Sequence, residues 1–172
     1  MHHAPTTYYQ LGQMFRGFTI GPGDVFIDFG CGLGRTICFA AQYPFDRVYG
    51  VEISSGLAAR ARSNVESLRS KTAGSIEIVC ASAEEFDCRL GNTYYLYNPF
   101  GEKTMAVVLA NMRSATAHSR KPIRIIYNNP VHRTLLDDSG WLSEKRSSSP
   151  RIRLTAGPSV REQLVVAGSC DF

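Results

Sequence analysis

The sequence predicts an α/β fold: a three-layer αβα sandwich whose mostly parallel seven-stranded sheet includes a C-terminal antiparallel hairpin. Three observations lead to this prediction. Short apolar runs alternate with segments of helical periodicity, as in parallel sheets that are covered by helices on both faces. Several of these runs stop at glycine, asparagine or acidic residues, as the ligand-binding ends of parallel strands do. The last two runs follow each other without a helix between them and therefore predict a hairpin.

The elements of the first half alternate regularly. Leu11, Met14 and Phe15 have helical spacing, and Ser54 or Ser55 can cap a later helix through its hydroxyl. The predicted elements are a helix over 8–17, a strand over 25–29, a helix over 35–42, a strand over 48–52 and a helix over 56–70.

The second half continues the alternation up to the terminal strands. Its predicted elements are a strand over 76–81, a turn at 84–86, a strand over 94–97, a helix over 102–118, a strand over 122–127, a short helix over 131–138, and strands over 141–146 and 163–169. We expect one domain over 1–172, with 1–20 as an N-terminal segment ahead of the first strand.

The composition is that of an ordinary globular domain. Of the 172 residues, 44% are hydrophobic and 20% are charged, and no apolar run reaches the ~18 residues of a membrane span. No signal peptide is expected at the N-terminus. Five cysteines without metal-binding spacing predict reduced thiols in a cytoplasmic protein and no metal site. The net charge of +4 permits a nucleic-acid partner but does not require one.

A glycine-rich loop separates the first strand from its helix. The segment reads Asp-Phe-Gly-Cys-Gly-Leu-Gly from Asp28 to Gly34, and the next strand ends at Glu52. Such a loop admits a ligand close to the backbone, and the acid can bind two ribose hydroxyls. A dinucleotide loop has the spacing G-x-G-x-x-G, but the sixth residue here is Arg35. The spacing therefore favours a nucleoside without a pyrophosphate.

This pattern resembles motif I of the class I S-adenosylmethionine (SAM)-dependent methyltransferases, and the resemblance extends over nearly the whole chain, from Thr6 to Phe172. It implies that SAM is the cofactor, that Asp28 lies near its amino group and that Glu52 holds its ribose. The loop residues and the neighbour of Glu52 are expected in the same cofactor site: Gly30, Cys31, Gly32, Gly34, Arg35 and Ile53.

At the adenine end the sequence departs from the family. Ser82 stands where an acid usually binds the adenine amino group. Three alternatives remain open: a weaker bond from Ser82, a contact from Glu84, or a bond from the backbone N–H of Ala83.

The carboxylate of SAM has several candidate partners. Arg35 can pair either with that carboxylate or with Asp28. The segment 1–20 is expected to lie over the cofactor, where the hydroxyl of Thr7 or Tyr9 can bind the carboxylate. A plain amphipathic helix is the alternative for this segment.

Asn98-Pro99-Phe100 ends the fourth strand and is the candidate acceptor site. It resembles the Asn/Asp-Pro-Pro-aromatic motif of amino-methylating members, with one proline missing. The resemblance implies that the Asn98 oxygen and a backbone carbonyl receive the N–H bonds of an amine, while the Phe100 ring packs on the substrate. The missing proline leaves the carbonyl's role open, and Asn-Pro can also simply begin a turn.

The fifth strand ends on the same edge. We expect Tyr127, Asn128 and His132 to contact the substrate there. His132 can also serve as a base, because an imidazole titrates near neutral pH.

The resemblance implies a SAM-dependent methyltransferase that transfers a methyl group to nitrogen, or less readily to oxygen. The cofactor motifs are also similar to those of the non-SET histone-lysine type, so a protein amine is one acceptor. A small molecule is another, and both are favoured over nucleic acid. No membrane partner is expected. The alternatives are a small-molecule O-methyltransferase and a protein that binds SAM or its product without catalysis; aminopropyl transfer is disfavoured, because it calls for an acid in place of Asn98.

Overall fold

The computed structural model of the protein describes residues 7–16, 19–117, 121–144, 152–154 and 162–167. Its α-helices are α1 (Tyr8–Phe15), α2 (Arg35–Ala40), α3 (Ser55–Glu66), α4 (Glu102–Thr116) and α5 (Arg133–Asp137), and a 3-10 turn covers Cys88–Leu90. Its strands are β1 (Val25–Phe29), β2 (Arg47–Glu52), β3 (Ser75–Cys80), β4 (Thr93–Tyr97), β5 (Ile123–Asn128), β6 (Ser143–Glu144), β7 (Ile152–Leu154) and β8 (Glu162–Ala167).

Five parallel strands in the order β3-β2-β1-β4-β5 form the main part of the sheet. Phe29 is level with Val51 on one side and with Leu96 on the other. The carboxyl ends of β1, β2 and β4 therefore lie together at one edge. The predicted α/β fold with a parallel sheet and helices is confirmed.

The strands carry apolar side chains on both faces, and each face is covered by helices. Phe26 belongs to the core under α1, α2 and α3, whereas its neighbour Ile27 belongs to the core under α4 and α5. This follows from the alternation of side chains along a strand. The result is three layers with the sheet in the middle.

Several helices are shorter than predicted. Helix α3 ends at Glu66 rather than at residue 70, and the Ser67 hydroxyl donates to the Ser63 carbonyl at 2.8 Å. Serine hydroxyls compete in this way with the helical backbone. Helix α5 begins only at Arg133. No helix within the described ranges combines the length and the apolar character needed to cross a bilayer.

The predicted C-terminal hairpin is wrong as a pairing of 141–146 with 163–169. Ser143 and Gln163 are partners in a parallel pair of β6 and β8. The antiparallel partner of β8 is β7, which lies between the two predicted strands, where no strand was expected. A parallel pair requires a connection of at least about a dozen residues, and 145–161 provides it. Eight strands, not seven, are present among the described residues.

A buried carboxylate holds the amino ends of the central strands together. Asp24 accepts hydrogen bonds from the Gly21 N–H and from Asn92 Nδ2, both at 2.9 Å, and Lys121 Nζ lies 3.2 Å from it. Burial favours a higher pKa for Asp24, but these donors together with Arg124 lower the pKa overall. This network lies at the edge opposite to the glycine loop.

Strand β3 forms one margin of the sheet. Its carbonyl at Ile78 accepts two hydrogen bonds from Arg62 of α3, from Nε at 3.1 Å and from Nη2 at 2.9 Å. The guanidinium therefore occupies a backbone acceptor on the free side of the strand.

Candidate active site

The glycine loop turns sharply between β1 and α2. Gly30, Gly32 and Gly34 have φ values of 74°, 55° and 78°, a region that favours glycine. The N–H groups of Gly30 and Cys31 both donate to the Val51 carbonyl, at 2.8 and 3.1 Å. These bonds fix the loop against the end of β2.

The three glycines have different surroundings. A Cβ atom on Gly30 would lie 2.8 Å from Cβ of Pro99, and one on Gly34 would lie 3.2 Å from Cβ of Ala61. These two glycines therefore permit close packing on the β4 loop and on α3. A Cβ on Gly32 would meet no atom of the described residues within 4 Å. Of the three, Gly32 leaves the most room for a ligand beside the backbone.

Glu52 is oriented by the loop that it faces. The Gly32 N–H donates to its Oε2 and the Ser54 N–H to its Oε1, both at 2.9 Å. The side chain is buried. Each carboxylate oxygen can accept more than one hydrogen bond, so both can still receive a ribose hydroxyl.

Asp28 is a buried acid beneath the loop, with 3% of its surface exposed. Burial, and then the charge of Glu52, raise its pKa to about 8, while a hydrogen bond with the Thr36 side chain opposes the shift. A cation bound beside Asp28 would favour its ionised form and lower this pKa again. The site therefore suits a cationic nucleoside and disfavours a pyrophosphate.

Arg35 does not pair with Asp28 in the structure. Its guanidinium lies over the ring of Tyr8, 5.8 Å from the ring centre, which is a cation–π contact. This contact joins the first turn of α1 to the first turn of α2. A role for Arg35 at the SAM carboxylate stays a prediction.

The N-terminal segment presents different side chains from those expected. The Thr7 hydroxyl caps α1 by accepting from the Gln10 N–H, and Gln10 Oε1 accepts from the Thr7 N–H. Tyr9 is exposed, whereas Tyr8 stacks on Phe39. Thr7 is thus already engaged in its own helix, and sequence reasoning missed Tyr8.

Cys31 belongs to the loop by its backbone and to the core by its side chain. A Cβ on Gly50 would lie 2.9 Å from the Cys31 sulfur. Burial raises the pKa of this thiol, and the charges of Asp28 and Glu52 raise it further. The thiol is therefore not a nucleophile at neutral pH.

The candidate adenine end is formed by the segments that follow β2 and β3. Ile53 is 74% exposed. The Ser82 hydroxyl accepts from the Glu84 N–H at 3.3 Å, and Ala83 packs against the core under α4. Ser82 therefore stabilises its own turn, and an Ala83 N–H contact with adenine stays a prediction.

The β4 end meets the glycine loop directly, because Pro99 packs on Gly30. Asn98 has φ of 42°, and within the described part of the chain its amide has no hydrogen-bond partner. Phe100 is half-buried and packs against the core under α4. The structure thus brings Asn98-Pro99 to the loop and turns much of Phe100 inward.

Tyr127 and Asn128 form hydrogen bonds within the protein at the end of β5. Both are buried; the Tyr127 hydroxyl accepts from the His132 N–H at 3.3 Å, and Asn128 Nδ2 donates to the Tyr95 hydroxyl at 3.3 Å. These bonds hold the end of β5, and a contact of either residue with a substrate stays a prediction. The His132 side chain is half-buried, and its predicted contact stays open.

Sequence reasoning also passed over Asn129. This residue has φ of 49°, and its amide has no hydrogen-bond partner among the described residues. The signal that identifies it is the recurrence of Asn-Pro, first at Asn98-Pro99 and again at Asn129-Pro130.

A family model described as "Methyltransferase domain" matches residues 26–120, which is more than half of the chain. The chain belongs to this family. The matched region of the methyltransferase domain runs from β1 through α4 and includes the glycine loop, Glu52 and Asn98. The predicted class I SAM-dependent methyltransferase family is therefore confirmed.

Solved structures with related folds include a putative rRNA-methylase from Clostridium thermocellum, with a TM-score of 0.58, 13% identity, and coverage of 91% of this chain and 90% of that one. An RNA methyltransferase from Salinibacter ruber in complex with S-adenosyl-L-homocysteine has a TM-score of 0.48 and 26% identity, with coverage of 55% and 60%. A SAM-dependent methyltransferase from Thiobacillus denitrificans, in complex with the same ligand, has a TM-score of 0.49 and 20% identity. The match covers 70% of this chain and 47% of that one. This methyltransferase domain thus spans 60% of the length of the Salinibacter protein. A search of curated proteins found no match.

SAM is the cofactor of this family, and the residues of the domain fit it. Gly32 leaves open space beside a backbone N–H, and Glu52 presents two oriented oxygens. Asp28 is a buried acid whose only side-chain hydrogen bond among the described residues is with Thr36. An ammonium or a sulfonium group bound here would favour the ionised form of Asp28.

Glu52→Ala is expected to weaken binding of S-adenosylhomocysteine by about 100-fold or more, since hydrogen bonds to a charged group contribute roughly 1.5–3 kcal/mol each. The substitution also removes the acceptor that holds Gly32. Titration calorimetry measures the change. Glu77→Ala on the exposed side of β3 is the matched control and should bind as the wild type does. An affinity of Glu52→Ala within threefold of the wild type would show that Glu52 does not hold the ribose.

Proposed function

We propose that this domain transfers a methyl group from SAM to a nitrogen acceptor. One observation carries the proposal: Pro99 packs on Gly30, which places Asn98 next to the cofactor loop, and the Asn98 amide has no hydrogen-bond partner among the residues that the structure describes. A polar side chain without a partner at such a position is available to a substrate.

The residues of the domain have separable tasks in this reaction. When bound, SAM supplies a methyl group on a sulfonium sulfur, which is already a strong electrophile. Glu52 holds the ribose and Asp28 lies near the amino group. Asn98 accepts an N–H bond of the acceptor and so directs the nitrogen lone pair at the methyl carbon. Catalysis then rests mainly on alignment.

Nitrogen is favoured over oxygen as the acceptor because Asn98-Pro99 corresponds to the amino-methylating motif. A protein amine or a small molecule is favoured over nucleic acid, since the net charge is only +4. A small-molecule O-methyltransferase and a SAM-binding protein without catalysis are the alternatives.

Two measurements test the proposal. Calorimetry should show that both SAM and S-adenosylhomocysteine bind; the absence of binding by either ligand would refute the cofactor assignment. Methyl-labelled SAM is then incubated with an extract of the source organism, and label is measured in protein, small-molecule and nucleic-acid fractions. We expect acid-stable label in the protein or small-molecule fraction. Binding without transfer to any fraction would favour the non-catalytic alternative.

We further propose that 1–172 acts as one domain, with 1–20 over the cofactor site. The cation–π contact of Arg35 with Tyr8 supports this position of α1. A cytoplasmic location is consistent with the free cysteines Cys31, Cys38, Cys80 and Cys88.

A further inference from the structure

The ends of β4 and β5 carry the same unusual backbone. Asn98 and Asn129 are the two non-glycine residues with positive φ in the described part of the chain, at 42° and 49°. Each precedes a proline, and a residue before proline normally adopts extended backbone. Strained conformations of this kind persist where the surroundings enforce them, often at functional sites.

The register of the sheet brings these two asparagines side by side. Tyr97 and Asn128 are partners in the parallel pair of β4 and β5, so Asn98 and Asn129 leave the sheet at the same level. Neighbouring strands lie about 4.8 Å apart. Just before Asn129, the buried bond of Asn128 to Tyr95 fixes the end of β5 against β4.

Both amides are available at this edge. Asn98 and Asn129 are half-buried, and neither side chain has a hydrogen-bond partner within the described ranges. The Asn129 carbonyl accepts from the Val131 N–H at 2.9 Å, so its backbone is held while its side chain is not. Half-buried amides without partners are costly to desolvate and are suited to a polar ligand.

A primary amine presents two N–H donors, and two acceptor oxygens are needed to hold both. We propose that Asn129 is a second acceptor-positioning residue, and that the substrate is a primary amine whose N–H bonds are received by the amide oxygens of Asn98 and Asn129. This inference rests on the proposed function. Asn129 thereby supplies the second acceptor that the shortened Asn-Pro-Phe sequence leaves open.

The proposed step balances without a further reactant. The nitrogen lone pair forms the N–C bond while the C–S bond breaks, and the electron pair of that bond stays on sulfur to give S-adenosylhomocysteine. One proton then leaves the methylated nitrogen for water. A hydroxyl acceptor has a single O–H and would use Asn98 alone, so the paired asparagines favour amines.

Asn129→Gly tests the proposal, because glycine accepts positive φ and removes only the amide. We expect methyl transfer to the labelled acceptor fraction to fall roughly tenfold to a hundredfold. The melting temperature and the affinity for S-adenosylhomocysteine should remain at least at the wild-type values. Asn129→Asp keeps an acceptor oxygen and should restore most of the rate. Gln42→Ala removes an exposed amide that bonds the Ser70 carbonyl, and it should be neutral.

Two results would overturn the inference alone: a wild-type rate in Asn129→Gly, or a lower rate matched by lower thermal stability and weaker ligand binding. The second result would indicate a structural role for the residue. A wild-type domain that transfers no methyl group to any fraction would instead overturn the proposed function, and the inference with it.

Discussion

Asn98→Gly is expected to reduce methyl transfer at least about 100-fold while leaving binding of S-adenosylhomocysteine within about twofold. Glycine preserves the positive φ of 42° at this position and keeps Pro99 against Gly30. The change therefore removes the amide without moving the loop. Because the Asn98 amide has no hydrogen-bond partner within the described residues, the loss would not come from a broken hydrogen bond to any of them.

Steady-state rates with labelled SAM, together with calorimetry, separate the two effects. Asn98→Asp is the matched variant, since aspartate also tolerates left-handed backbone and keeps an acceptor oxygen. It should retain more activity than Asn98→Gly. If Asn98→Gly transfers methyl groups as fast as the wild type, the acceptor is not held by this residue.

Asp28→Asn is expected to stabilise the domain at neutral pH, on the order of 4 kcal/mol, and to weaken cofactor binding. Below the unfolded-state pKa of 3.8, the Asp28 carboxyl is protonated in both the folded and the unfolded state. It then does not reduce the free energy of unfolding. As the pH rises, the unfolded chain releases this proton while the folded protein keeps it up to a pKa of about 8. The wild type therefore loses stability over this window.

Denaturant unfolding of both proteins between pH 4 and pH 9 tests this expectation. The difference between their free energies of unfolding should be small at pH 4, grow with pH and level off above about pH 8. Asp24 has a lowered pKa and loses its stabilising effect on acidification. Asp24 is present in both the wild type and Asp28→Asn, so its contribution cancels in the difference between their free energies of unfolding. A pH-independent difference would mean that Asp28 is ionised in the folded state.

The central sheet could be predicted because its signals are local. Val25–Phe29 and Arg47–Glu52 are apolar runs that end at a glycine loop and at an acid, and each is followed by a helix. The strand pairing after α5 could not be predicted from such signals. Whether β6 lies parallel or antiparallel to β8 depends on the path of 145–161, and periodicity carries no information on that path.

The arrangement of the candidate cofactor residues follows more directly from the sequence than that of the candidate acceptor residues. Glu52 and Gly32 meet across the β1–β2 pair, and this follows from strand ends that share one edge. Asn128 and Asn129 are adjacent in sequence. Only the register of β5 against β4 decides which of them is buried and donates to the Tyr95 hydroxyl. A shift of one residue exchanges the faces of a strand, so the sequence alone does not decide which residue at the end of β5 faces a substrate.

The two hydrogen bonds from Arg62 to the Ile78 carbonyl also affect how molecules of this domain behave toward one another. An unpaired strand at the margin of a sheet is a template on which a strand from another molecule can assemble. Here one of the acceptors needed for such growth is already occupied by a bulky cation. The β3 margin is thereby made a poor starting point for aggregation, without any change in the strand itself.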